Sequence, residues 1–288
     1  MSGILLANPT IDYQVHNTVF LVAHFHNVAV PGVLFGMLSA YHFWFPKAFG
    51  FRLNERWGMI SALCWIFGFV GAFFPLYALG IMGLPRRTVA YTEARYVPLE
   101  WMAFLGALLI LVALLALLWQ LWLSIRDRAD NRVFVGDPWA GRSLEWANSA
   151  PPPEYNFAVI PQIESRDAFT AAKEQGRAYL RPDTYVDIEL PKNSAMGPAI
   201  AAISFALAFG LVWHIWWLVI LCFLAAIASM IIRGFARDTR RIVSAQQVRQ
   251  EHHRWIDAVD QATAISRADE CTSVNVGLAR QEADGVVP

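Results

Sequence analysis

The chain has 288 residues, of which 56% are hydrophobic and only 16% charged, with 12 Trp, a composition too apolar for a water-soluble domain of this length. Its 23 basic residues balance 23 acidic ones, so no global positive field points to nucleic acid as a partner. The three cysteines, Cys64, Cys222 and Cys271, are widely separated, and neither a disulfide framework nor a zinc-ligand spacing follows from them.

Taken in chain order, Met1 to Pro9 lack the positive start and small-residue cleavage site of a signal peptide, so no removable segment is expected. A first membrane span is predicted from His16 to Phe45, a stretch free of Lys, Arg, Asp and Glu that nevertheless carries His16, His24, His26 and His42. Met59–Leu84 and Trp101–Ile125 are equally uncharged, and each exceeds the roughly 20 residues that cross the hydrocarbon core. Pro75 is expected to kink the second span. Residues 127–193 contain the run Ser149-Ala150-Pro151-Pro152-Pro153, which cannot be helical and reads as a surface strap, not a catalytic domain. The uncharged run 194–232 would overshoot a core of about 30 Å as one helix rising about 1.5 Å per residue. It is predicted to fold into two spans with the tip at Val212-Trp213-His214-Ile215-Trp216-Trp217, an aromatic cluster suited to the headgroup level. The tail 233–288 has mixed charge and helical periodicity at Val248, Trp255, Ile256 and Val259, which predicts an amphipathic helix. The fold class expected is all-α and membrane-integral: three helices in residues 1–126, a loop over 127–193, a transmembrane hairpin over 194–232 and a tail over 233–288, about five spans in all.

Lys47, Arg52 and Arg56 follow the first span, Arg126, Arg128 and Arg132 the third, and Arg233, Arg237, Arg240 and Arg241 the fifth. By the positive-inside rule these ends, the long loop and the C-terminus are cytoplasmic. Arg86 and Arg87 then fall on the outer side, against the rule. Either they are an interfacial basic pair, or an anionic group sits beside them.

The segment Val22-Ala23-His24-Phe25-His26-Asn27 is the most specific chemical signal. At roughly 100° per residue, His24 and His26 point about 200° apart, so one metal cannot take both. Each is either a core histidine bonded to a neighbouring helix or an axial ligand to one of two cofactors, and haem, large and apolar, suits a space between helices. Paired ligands of a cytochrome b-like carrier would share one face, which these do not. Asp12 and His16, spaced i, i+4, share a helix face and are either a hydrogen-bonded pair or part of a metal site. Taken as one helix, the first span places His24 about 12 Å deeper than His16. His42 and His214 read as packing or interface residues, and His252-His253 as a solvated pair.

The run Asp12 to Asn27, Phe45-Pro46-Lys47-Ala48-Phe49-Gly50, Leu84-Pro85-Arg86-Arg87, Gly136-Asp137-Pro138-Trp139, the Leu144-Glu145-Trp146 and triple-proline segment and the final hairpin together resemble subunit I of heme-copper terminal oxidases. Asn27, where cytochrome c oxidases commonly have Tyr, resembles the bacterial cytochrome bo-type ubiquinol oxidases, as do residues 167–194 and the extra hairpin. The resemblance implies that His24 ligates a high-spin, oxygen-reducing haem of o or a type and His26 a low-spin haem b. It also implies that Arg86 and Arg87 contact haem propionates. Asp12 and His16 become candidates for an outer magnesium or manganese site. The family's copper, its three histidines, a cross-linked tyrosine and the second low-spin ligand belong to earlier helices, so the chain looks like a C-terminal portion beginning just before the tenth helix. On this resemblance the function is that of a proton-pumping respiratory quinol oxidase in the bacterial inner membrane. Its partners would be the remainder of subunit I, subunits II, III and IV, membrane lipid, ubiquinol and oxygen, and the chain alone would be inactive. A cytochrome c oxidase subunit I, a haem carrier outside the oxidases and a cofactor-free membrane protein are the alternatives.

Overall fold

The computed structural model describes residues 1–90 and 93–284, with side chains as far as residue 264; the side chain of Cys271 lies outside the described residues. The described residues form two compact units, one from Met1–Pro153, Ile163–Tyr179 and the chain from Ala258, the other from Glu154–Gln162 and Leu180–Asp257.

The first unit opens with two short helices, α1 (Ser2–Ala7) and α2 (Pro9–Val15), and then α3 (Val19–Ala29), a π-helical turn over Val30–Leu34 and α4 (Phe35–Phe49) in one continuous path. The helix therefore begins at Val19 and not at His16. Thr18 explains the break, because its hydroxyl donates to the Val15 carbonyl and accepts from the Phe20 N–H, capping the new helix. The depth of His24 inferred from an unbroken helix through His16 does not hold. Pro31 accounts for the π turn, since its ring cannot supply the N–H that an α-helical ladder needs. α5 (Glu55–Ile81) is capped by the Asn54 side chain on the Trp57 N–H and runs as one helix across Pro75, and α6 (Val97–Arg126) places Pro98 in its first turn.

α5 and α6 approach closely because small residues face each other. A Cβ on Gly106 would stand 2.1 Å from the Ala72 nitrogen, and one on Gly68 2.9 Å from that of Ile110. Such contacts replace the hydrophobic drive that lipid cannot provide, and polar groups add to them. Ser61 Oγ donates to the Ala113 carbonyl at 2.8 Å, Gln120 Nε2 to the Asn54 carbonyl at 3.0 Å, and Ser124 Oγ accepts from the Asn54 N–H at 2.9 Å.

The chain after α6 is stitched onto the end of α4. Lys47, itself buried, donates to the carbonyls of Asn148 and Gly136 at 2.7 and 3.3 Å. Gly50, at φ 75°, turns the chain so closely that a Cβ there would lie 2.8 Å from the Ala150 carbonyl oxygen. Trp146 is buried, and Lys173, on α7 (Ala168–Glu174), pairs at 2.6 Å with the enclosed Asp137 carboxylate. Residues 127–153 are thus a packed strap.

In the second unit β1 (Ile188–Pro191) precedes α8 (Met196–Val212) and α9 (Trp216–Gly234), β2 (Arg240–Val243) follows, and α10 (Ala245–Asp284) begins. The predicted hairpin is present, with its turn at Trp213–Ile215 and His214 at φ 56°. β1 and β2 pair antiparallel in the register Ile188 with Val243 and Leu190 with Arg241, a two-stranded sheet too short to leave a readable period. Among the described residues, four helices are long and apolar enough to cross a membrane: Val19–Phe49, α5, α6 and α9. α8 is apolar but has 17 residues, about 25 Å of rise. The tail is helical as expected, with Val248, Trp255, Ile256 and Val259 all buried.

The expectation of a solvated His252 fails. Its Nδ1 shares a hydrogen bond with the Tyr185 hydroxyl at 2.9 Å, and burial, then the charges of His253 and Arg181, push its pKa below the ordinary histidine value. The unfolded segment therefore takes up a proton more readily than the folded one. Stability from this contact is present above about pH 6.5 and is lost as pH falls toward the depressed folded value. Protection factors across residues 240–257, corrected for the intrinsic exchange rate at each pH, should fall between pH 7.5 and pH 5.5, and the His252→Gln change should remove that pH dependence.

Candidate functional site

α3 presents Phe20 and Ala23 inward, against α5. The contact is close because Gly80 has no side chain: a Cβ there would stand 2.4 Å from the Phe20 nitrogen. The Val19 N–H donates to the Leu84 carbonyl at 3.0 Å and the Arg86 N–H to the Asn17 carbonyl at 3.1 Å, so the start of α3 is clamped to the loop after α5. This clamp fixes the position of the two histidines along α5.

His26 stacks on Phe73 with ring centroids 4.4 Å apart and 14° between planes. Its Nδ1–H donates to the Val22 carbonyl at 2.8 Å, which fixes the neutral tautomer and leaves the Nε2 lone pair available. The His24 ring lies on another side of α3, with Nδ1 3.0 Å from Ser2 Oγ, and Ser2 Oγ in turn accepts from the Tyr77 hydroxyl at 3.1 Å. Neither Nε2 makes a hydrogen bond among the described residues. The two imidazoles thus have different neighbours, Ser2 for His24 and Phe73 for His26.

Arg86 is half-buried and its Nε donates to Asn17 Oδ1 at 3.2 Å. Arg87 is exposed, at φ 65°. The clamp brings Arg86 to the N-terminal end of α3, and with it to the helix that carries both histidines. Asp12 and His16 are brought together through the backbone: His16 Nδ1–H donates to the Asp12 carbonyl at 2.9 Å, with no bond to the carboxylate. Among the described residues no group of three His, Cys, Asp or Glu side chains is close enough to hold a metal ion.

Sequence reasoning passed over Phe73 and Tyr77, which back the two histidines. The signal was available, because Phe69, Phe73 and Tyr77 recur every four residues and so share one face of α5.

A family model described as Cytochrome C and Quinol oxidase polypeptide I matches residues 1–147. The cytochrome bo(3) ubiquinol oxidase subunit 1 of Buchnera aphidicola subsp. Acyrthosiphon pisum (strain APS) is 44% identical over 259 residues, covering 88% of this chain and 39% of the relative. The probable cytochrome c oxidase subunit 1 of Bradyrhizobium diazoefficiens is 42% identical over 252 residues, covering 86% of this chain and 38% of the relative. The quinol oxidase subunit 1 of Bacillus subtilis (strain 168) is 36% identical over 258 residues, covering 88% and 39%. The chain thus spans about two fifths of the length of the relatives it matches.

Proposed function

Because the chain belongs to the cytochrome c and quinol oxidase polypeptide I family, we propose that it supplies one axial histidine to each of two haems in a membrane terminal oxidase that passes electrons from ubiquinol to oxygen. The observation that carries the reading is the pair of separately supported imidazoles on α3. Their residues fit haem. Each ring has Nδ1 engaged and Nε2 without a hydrogen bond, the state in which imidazole ligates iron, and the aromatic face of α5 offers the apolar walls that a porphyrin needs. His26 would hold the low-spin haem b and His24 the high-spin haem of o or a type. The haems, with copper held by histidines outside these residues, would supply the one-electron and oxygen chemistry.

The chain's own contribution is positioning. The Val22 carbonyl holds the His26 ring in one orientation, Phe73 holds its plane, and Ser2 with Tyr77 does the same for His24. Arg86 and Arg87 would bind the haem carboxylates through their guanidinium groups, and the Asn17 side chain holds the first of them. Asp12 and His16 would give an outer magnesium or manganese ion two of its ligands. Residues 1–126 and 194–232 would lie in a bacterial inner membrane with 127–193 and 233–288 on the cytoplasmic side, beside the remainder of subunit I and subunits II, III and IV. Cytochrome c as donor is the second reading, favoured by the Bradyrhizobium relative's name; comparing ubiquinol with reduced cytochrome c in an oxygen electrode separates the two.

Removing a positive charge beside a haem carboxylate favours the oxidised, more positive iron, so Arg86→Leu should lower a haem midpoint potential by roughly tens of millivolts. Arg87→Leu should do so less, because no hydrogen bond holds its exposed side chain among the described residues. Redox titration of the haem bands checks this, and unchanged potentials in both variants would leave the arginines as an interfacial pair.

A further inference from the structure

The last turns of α6 carry a joined aromatic and guanidinium face. Trp119, Trp122 and Arg126 are spaced i, i+3 and i+7, so they share one side of the helix. The Trp119 and Trp122 rings stack with centroids 4.7 Å apart and 29° between planes, and Trp57, from the first turn of α5, meets Trp119 edge-on at 6.2 Å and 70°. The Arg126 guanidinium lies over the Trp122 ring, 5.3 Å from its centroid. Trp119 and Trp122 are 45 and 51% exposed, and open indole rings in the last turns of a membrane span lie at the depth of lipid head groups.

The hydrogen-bonding groups of this face are donors. An indole has an N–H and no acceptor, and none of the three indole N–H groups makes a hydrogen bond among the described residues. Arg126 is held in place from one side: its Nε and Nη2 donate to the two carboxylate oxygens of Asp127 at 2.6 and 3.0 Å, which leaves Nη1 without a partner. The surrounding charge is positive. The Arg52 N–H bonds the Asn131 carbonyl, so residues 52–56 lie beside residues 128–132. Arg126 and Asp127 cancel, and Arg52, Arg56, Arg128 and Arg132 then stand against Glu55 and Asp130, a surplus of two positive charges.

We infer that this face holds one anionic phospholipid of the phosphatidylglycerol type, whose phosphodiester accepts from Arg126 Nη1 and whose ester carbonyls accept from the indole N–H groups. An acyl chain lies along Leu115 and Leu118, both exposed and one turn before Trp119 and Trp122. A phosphatidylethanolamine head fits less well, because its ammonium enters a field that is already positive. A packed transmembrane helix fits less well too: its carbonyls are bonded within the helix, so it would leave the indole donors and Nη1 unpaired. The inference does not depend on haem ligation by His24 or His26.

The test uses the complete oxidase complex in phosphatidylcholine nanodiscs containing a graded fraction of phosphatidylglycerol with a diazirine in one acyl chain. Labelled peptides are mapped by mass spectrometry. Labelling of residues 112–126 should saturate as the fraction rises, and untagged phosphatidylglycerol should compete about fivefold better than phosphatidylethanolamine. Arg126→Leu should raise the half-saturating fraction about tenfold, because a hydrogen bond to a charged group is lost. Trp122→Leu, which removes the ring under the guanidinium, should raise it about threefold. Trp101→Leu, an exposed indole at the other end of α6, should leave it unchanged. Haem spectra of the same samples report assembly of each variant. Labelling that does not saturate in the unmodified complex, equal competition by the two lipids, or an unchanged half-saturating fraction in both Arg126→Leu and Trp122→Leu would each overturn the proposal.

Discussion

Expressed by itself, the chain should insert into membranes yet contain no stoichiometric haem and consume no oxygen. A low-spin iron with two axial histidines needs a second imidazole, and His26 is held on α3 with nothing comparable opposite it among the described residues. An oxygen-reducing centre needs copper ligands that the resemblance places on other helices. Without the facing helices, His24 and His26 are polar groups at membrane depth, which costs several kcal/mol in hydrocarbon. Co-expression with the portion of subunit I that precedes these residues should restore both haem spectra and ubiquinol-dependent oxygen uptake. Paired spectra and oxygen traces, with and without that portion, measure the effect. Oxygen reduction by the lone chain would refute the assignment of the missing ligands.

In the complete complex the two histidines should fail separately. His26→Ala should remove the low-spin haem bands while leaving carbon monoxide binding at the high-spin haem, and His24→Ala should remove carbon monoxide binding while leaving the low-spin bands. The separation follows from the helix: the rings point in different directions and are braced by different residues, Phe73 for His26 and Ser2 with Tyr77 for His24. Ubiquinol-dependent oxygen uptake should fall to background in both, because electrons need both haems. Loss of the same spectral signal in both variants would mean that the two residues serve one cofactor.

Much of this fold was legible because lipid enforces long uncharged helices, and such runs survive in any reading of the sequence. Length predicted the final hairpin, and an apolar stripe at helical spacing predicted the tail. The break at Thr18 was hidden, since a hydroxyl cap in an apolar run looks like any other threonine until its partners are known. The β1–β2 pair was also hidden: each strand is four residues long and pairs with a segment about fifty residues away. At the candidate site the helix period alone separated the directions of His24 and His26. What it could not reveal was the support around them, because Phe73 and Tyr77 are set beside α3 by the bonds of Val19 to Leu84 and of Arg86 to Asn17, and Ser2 comes from α1, all contacts between distant segments. His252 was misread for a similar reason, its partner Tyr185 lying 67 residues earlier in the chain.

The central claim is that His26 ligates iron and is not a packing residue, and the His26→Gly complex tests it most directly through visible spectra recorded with and without added imidazole. The small residue leaves room for a free imidazole against the face of Phe73, while α3 keeps its helical path. The account predicts that the low-spin haem bands are absent without imidazole and return when it is added. Low-spin bands of unchanged intensity without imidazole would contradict it.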